Sequence, residues 1–295
     1  MVVGKRHRMK KDGLSIAIDI INYTLLTFIF IAMVYPLWYI IVLSFNEGAD
    51  AYSGGLFLWP RKFTFDNYIT AFKNEALYKA LIVSILRTGV GTLISVVLIS
   101  LMAYALSDKK LPGRKWMTKY FFFTTLFSGG SIPMLILISQ LDLLNRFWVY
   151  IIPAIYGFIN MLIVKINFEG IPIELRESAE LDGANDLQIF FRIYLPLAKS
   201  SIATIALFTL VIHWNDWYAG KYYITNSALK PAATILQEMI KNGSEASTYL
   251  SNDTTTTNQT LQAAFVVIIM LPVMLLYPFA QKYFVKGAIV GSIKE

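Results

Sequence analysis

Cysteine is absent from the 295-residue chain. Disulfides, thiol catalysis and cysteine-built metal sites are therefore excluded. Histidine is nearly absent too. His7 and His213 stand far apart, and neither a His-Glu-x-x-His nor a Gly-x-Ser-x-Gly pattern occurs, so metalloenzyme and hydrolase chemistry have no residues to rest on. A membrane enzyme using isolated carboxylates has no supporting pattern either. No G-x-x-x-x-G-K-[ST] phosphate loop is present, so any nucleotide-driven step needs another polypeptide. No internal repeat or low-complexity tract is evident.

Charge is scarce as well: 15% of residues are charged, against about 25% in a typical soluble domain. Hydrophobic residues make up 56% and the mean hydropathy is +0.54. Apolar runs long enough to span a bilayer predict one polytopic, all-α membrane domain in contact with lipid. The net charge of +7 is explained by the positive-inside rule, without nucleic acid.

The basic tail with Lys5, Arg6, Arg8, Lys10 and Lys11 precedes an apolar run from about Ile16 to Phe45. That run is too long for a signal peptide and has no evident small-residue cleavage site, so it reads as a retained first span with residues 1–15 in the cytoplasm. Pro36 is tolerable there if neighbouring helices satisfy the freed backbone. An external segment from Asn46 to Ala76 follows, with turns at Gly54-Gly55 and Trp59-Pro60, and with Phe63, Phe65 and Tyr68 placed to pack on the membrane surface. Further spans are expected near Leu77–Ser107, Trp116–Leu141, Phe147–Phe168, Ser201–Tyr218 and Leu261–Ala280. The third contains Ser128-Gly129-Gly130-Ser131-Ile132-Pro133, an interruption that marks close packing or a kink beside a cavity. Six spans put both termini, the basic loop Lys109–Lys115 and the segment after Phe168 in the cytoplasm. Residues 282–295 then form a C-terminal tail, and the polar stretch Lys221–Asn258, including Ser251-Asn252-Asp253-Thr254, is external. Arg61, Lys62, Lys73, Lys79, Arg146, Lys221, Lys230 and Lys241 fall outside, spread over longer loops, so the charge bias agrees with this topology.

An acidic island interrupts the apolar chain from Pro172 to Pro196. Pro172 suits a first helical turn, Glu174 and Glu177 lie near the positive end of that helix dipole, and Gly183 can take a left-handed stop. Asn185 and Gln188 have the spacing of a capping box for a second short helix, which Pro196 must end or kink. Glu174, Glu177, Glu180, Asp182 and Asp186 stand against Arg176 alone. An anionic leaflet would repel this first half of the island, so charge favours a protein partner.

Glu177-Ser178-Ala179, Asp182-Gly183, then nine residues to Ile193, with Leu195 and Pro196 closing the stretch, resemble the EAA loop of permease subunits in type I ATP-binding-cassette importers. The departure is Ser178, where the motif has alanine. Phe127–Pro133, His213-Trp214-Asn215-Asp216-Trp217 and Gln281–Gly287 are similar to stretches in the carbohydrate branch, particularly permeases for oligosaccharides and acidic glycans. The resemblance implies a sibling permease, two ATPase subunits holding ATP and Mg, no cofactor on this chain, an extracytoplasmic solute-binding protein, and a place in the bacterial cytoplasmic membrane. It also implies that the island couples ATPase closure to transport, with Glu177 and Gly183 leading and Lys286–Glu295 as a further ATPase contact or a solvated end.

For the substrate pathway, about 1.5 Å per helical residue from Ser201 places Trp214–Trp217 in the outer half of the fifth span. Indole faces there can stack on sugars and Asn215 or Asp216 can bond hydroxyls, or the tryptophans can serve as interface anchors. Arg87 in the second span needs a cavity or a partner: an acidic sugar, an acid of this chain, or the sibling. Phe121, Phe122 and Phe123 read as lipid-facing or packing residues, and His213 as a hydrogen-bonded packing residue. Two other readings stand beside the carbohydrate permease: the same machine for a peptide or amino acid, and a secondary transporter, which would need intramembrane ionisable relays and no acidic hinge.

Overall fold

The structure is a computed structural model that describes residues 13–55, 58–241 and 256–292. The basic residues of the N-terminal tail, the Ser251–Thr254 run and residues 293–295 lie outside the described residues. Among the described residues every regular element is helical, and the single extended pairing is an isolated bridge between Asn46 and Phe63. Apolar sequence with no water to satisfy its backbone folds as helix.

Two compact units are present. The first comprises the described chain up to Tyr68 together with the stretch ending at Val267, and the second runs from Ile69 together with the stretch beginning at Ile268.

In the first unit, helix α1 (Gly13–Ser44) has 32 residues, about 48 Å at about 1.5 Å per residue, against a hydrocarbon core of about 30 Å. It is apolar all round, and Leu25, Phe28, Phe30 and Met33 are exposed, the pattern of a span whose solvent is lipid. Beyond it, α2 (Gly48–Ala51) lies under Thr257, where a Cβ on Gly48 would come within 2.6 Å. Phe63, Phe65 and Tyr68 gather around Phe45, with the Phe45 and Phe63 rings stacked at 5.4 Å. Asn67 donates from Nδ2 to the carbonyls of Ser44 and Asn46, both at 2.9 Å. Phe45 thus joins these aromatics to the end of the first span. Helix α3 (Asp66–Lys73) leads out of this unit.

The second unit is built around α4 (Glu75–Ser107), 33 residues opened by Asn74, whose side chain accepts from the amides of Ala76 and Leu77. Its first half packs with α6 (Ser131–Gln140), the 3-10 turn Phe147–Tyr150 and α12 (Tyr218–Tyr223). The buried residues there include Val83, Ile138, Tyr150, Ile151 and Tyr223. Its second half packs with α7 (Phe158–Glu169) and the inner side of the acidic island, burying Ile99, Ala103, Leu106, Met161, Phe168 and Phe190. One rigid helix therefore joins two cores.

Among the described residues three helices are long and apolar enough to cross a membrane: Gly13–Ser44, Glu75–Ser107 and Asn258–Leu276. The last belongs to α14 (Asn258–Ser292), which carries Pro272 and Pro278 and continues through most of the segment expected as a C-terminal tail. The other expected spans are bent pairs. Helix α5 (Arg114–Leu126) meets α6 at 116°, at the Ser128–Gly130 break. The fourth is bent by 51° between Ala154 and α7, because Pro153 and the extended Gly157 interrupt an otherwise apolar run. The fifth turns by 86° where the island enters α11 (Lys199–Asn215).

Candidate functional site

The acidic island folds from local signals. Helix α8 (Ile173–Leu181) follows Pro172, and its end is a Schellman closure: the Gly183 amide donates to Glu180 (3.1 Å) and the Ala184 amide to Ala179 (2.9 Å). Gly183 sits at φ +81°, and a Cβ there would touch nothing within 4 Å, so backbone strain alone calls for glycine. Helix α9 (Asp186–Ile189) opens with the expected capping box, Gln188 N–H to Asn185 Oδ1 at 2.9 Å and Asn185 N–H to Gln188 Oε1 at 3.0 Å. One π turn, Phe190–Tyr194, then precedes α10 (Leu195–Leu197). Pro196, which has no N–H to donate, stands just beyond that widened turn.

Burial divides the motif residues into two sets. Ala179, Ile193 and Leu195 pack on the core of α4 and α7. Glu177, Ser178, Asp182, Gly183 and Pro196 face outward, beside Leu181 and Leu187, which are 90% and 61% exposed. One side of the island is an anchor, and the other is a free acidic and apolar surface.

Arg176, which the sequence showed only as the lone base among acids, holds the anchor. Its guanidinium lies 3.0 Å from Asp108 just past the end of α4, 2.7 Å from Glu180 and 3.2 Å from Asp186, and 5.9 Å from the Tyr104 ring centroid. Burial works to lower its pKa, but the hydrogen bond to Glu180 and the surrounding negative charge outweigh it, so the pKa is raised. Nearby, Arg114 pairs with Glu169 and donates to the Leu106 carbonyl at 2.7 Å, and Lys165 reaches Glu169 at 2.9 Å.

Near the other end of α4 the structure brings Arg87 and Asp216 together. Arg87 is 1% exposed, pairs with the Asp216 carboxylate, donates to the Asp216 carbonyl at 2.7 Å and lies 4.5 Å from the centroid of the Tyr150 ring. The Tyr150 hydroxyl donates in turn to the Leu229 carbonyl at 2.7 Å. Asp216 Oδ1 accepts the amides of Tyr218 (2.8 Å) and Ala219 (3.4 Å), so the same carboxylate starts α12. His213 is buried against Gly91, and neither ring nitrogen has a hydrogen-bond partner, which differs from the hydrogen-bonded role expected for it. Trp214 is buried and donates to the Ile269 carbonyl at 3.0 Å, Asn215 is exposed, and Trp217 is half-buried with the Lys241 ammonium 5.7 Å from its ring. Arg176 was detectable by its isolation among acids. Tyr150 carried no signal, since nothing local distinguishes it from other aromatics in the spans.

A family model described as "Binding-protein-dependent transport system inner membrane component" matches residues 8–290. The chain belongs to that family. The chain is 38% identical over 279 residues to the polygalacturonan/rhamnogalacturonan transport system permease protein YtcP of Bacillus subtilis (strain 168), covering 94% of this chain and 98% of the relative. It is 30% identical to the galactooligosaccharides transport system permease protein GanQ of the same organism, over 92% of this chain and 94% of that one. Its fold matches a chain in the crystal structure of a bacterial ABC transporter involved in the import of the acidic polysaccharide alginate, with a TM-score of 0.86 and 29% identity over 92% of this chain and 98% of the other. Family membership sets aside the secondary-transporter reading.

Proposed function

We propose that this chain is a permease subunit of an ATP-driven importer in the bacterial cytoplasmic membrane, and that it translocates an oligosaccharide or other carbohydrate, acidic glycans included. Relatives named for pectic and galactose-based glycans, and a structural neighbour from an alginate importer, support the substrate class. Counting each bent pair as one crossing makes six, with both termini and the island in the cytoplasm. A sibling permease completes the pathway, a solute-binding protein delivers the glycan outside, and ATPase subunits holding ATP and Mg act inside.

The observation that carries the coupling role is the two-sided island. Its outer residues Glu177, Ser178, Asp182 and Gly183 are free to seat in an ATPase, while Ala179, Ile193 and Leu195 tie the same loop to α4 and α7. A push on the outer side then reaches α4 as rigid-body motion. Changing glutamate 177 to alanine or glycine 183 to proline in the reconstituted complex should abolish glycan-stimulated ATP hydrolysis in proteoliposomes while assembly survives. Normal stimulation in both variants would remove the coupling assignment. Purification without an ATPase would remove the importer assignment, and stimulation by peptides but not glycans would move the substrate to the amino-acid class.

A further inference from the structure

The break between α5 and α6 opens onto a cleft of about 430 Å³, within the range of about 300–1,000 Å³ usual for small-molecule sites. Its two walls differ in chemistry. Ser128, Gly130, Ser131 and Pro133 supply one, continued by the apolar Met134 and Leu137 of α6, and Tyr218 and Tyr223 of α12 supply the other. Gly130 lies at φ +89°, in the left-handed region, and the two glycines of the break put no side chain into the space. Helix α6 starts there with no side-chain cap. Irregular backbone with exposed hydroxyls, in a run long and apolar enough to enter a membrane, is stable there only where it is buried in protein or lines a watery cavity.

The tyrosine wall is held in place from several directions. Asp216, clamped by Arg87, accepts the amides of Tyr218 and Ala219. Asn145 donates its amide to the Tyr223 carbonyl at 3.0 Å and accepts from the amides of Thr225 and Asn226 at 2.6 and 3.1 Å. Gly220 sits so close to α13 (Ala232–Lys241) that a Cβ would be 2.2 Å from Thr234 Oγ1. Within this wall the Tyr218 ring lies 4.5 Å from that of Tyr222 and 5.9 Å from that of Tyr223. A fixed aromatic face opposite hydroxyls and open main chain is the arrangement that holds a pyranose, whose axial C–H face stacks on a ring while its equatorial hydroxyls find hydrogen-bond partners.

We infer that this cleft is a subsite for one sugar residue of the glycan in transit, with Tyr218 as the stacking platform and Ser128 and Ser131 as hydroxyl partners. The inference rests on the carbohydrate reading above and gives Arg87 and Asp216 a positioning role: they fix Tyr218 and do not meet the sugar.

The absence of cysteine makes the test clean. In the full complex in proteoliposomes, Ser131→Cys, and separately Ser128→Cys, is labelled with a hydrophilic methanethiosulfonate, with and without trigalacturonate and the binding protein, and labelling is read on this chain's own band. Leu93→Cys, on an exposed apolar face of α4, is the lipid-facing control. Labelling at 131 or 128 that slows when the glycan is present supports the subsite. Adding Tyr218→Ala should then raise the glycan concentration for half-protection by about threefold to tenfold, and Tyr218→Phe should leave it nearly unchanged. No labelling at either position, or disulfide capture of the sibling chain there, shows that protein fills the cleft and overturns the subsite. Labelling that is indifferent to glycan, in a complex whose ATP hydrolysis trigalacturonate does stimulate, overturns the subsite and leaves the carbohydrate reading standing. A native complex that responds to no glycan removes both.

Discussion

Replacing Asp216 by leucine strands the Arg87 guanidinium, which is 1% exposed, inside the helical unit. Breaking a buried pair by removing one partner costs about 3–5 kcal/mol. Two contacts survive the change, the residue-216 carbonyl at 2.7 Å and the Tyr150 ring at 4.5 Å, so the expected loss is near the lower end, about 3 kcal/mol. The reverse change, Arg87→Leu, is milder. The Asp216 side chain is 26% exposed and keeps the Tyr218 and Ala219 amides, so losing the cation costs about 1–2 kcal/mol. The double variant leaves no buried charge and should cost no more than Asp216→Leu alone, a coupling of about 1–2 kcal/mol. Denaturant unfolding of the assembled complex measures all three variants, followed by a dye on a single cysteine replacing the exposed Lys115. If Arg87→Leu costs as much as Asp216→Leu, or if the two losses simply add, the asymmetry derived from burial is wrong.

Gly91→Ala would drive a Cβ to 2.7 Å from the His213 ring. Overpacking of this kind costs about 1–3 kcal/mol, and His213→Ala in the same chain should recover most of the loss, as read by the same unfolding midpoints. Arg176→Gln removes the cation shared by Asp108, Glu180 and Asp186. ATP hydrolysis per glycan imported should rise in vesicles as the island loses its hold on α4, and an unchanged ratio would deny Arg176 any part in transmission.

The difference between what the chain shows by itself and what it shows when folded follows the range of the forces involved. Membrane residence, the helical class and the hinge at Gly183 were legible because composition and contacts three to five residues apart decide them. The Asn185–Gln188 box and the Schellman closure formed as the local sequence requires. The break at Ser128–Pro133 was legible as a break, but its 116° angle depends on what α6 packs against. The bend before α7 was missed because Pro153 and Gly157 sit in a run that stays apolar on both sides. Arg87 was visible as a costly intramembrane charge and Asp216 as a polar group in the outer half of the fifth span. Their pairing was not visible, since the two are 129 residues apart and meet only when α11 packs along α4. The same holds for the island: the sequence by itself determined its acidity and its hinge, whereas the tertiary structure decided which motif residues anchor and which remain free. Burial is a property of neighbours brought from other parts of the chain, and no local pattern carries it.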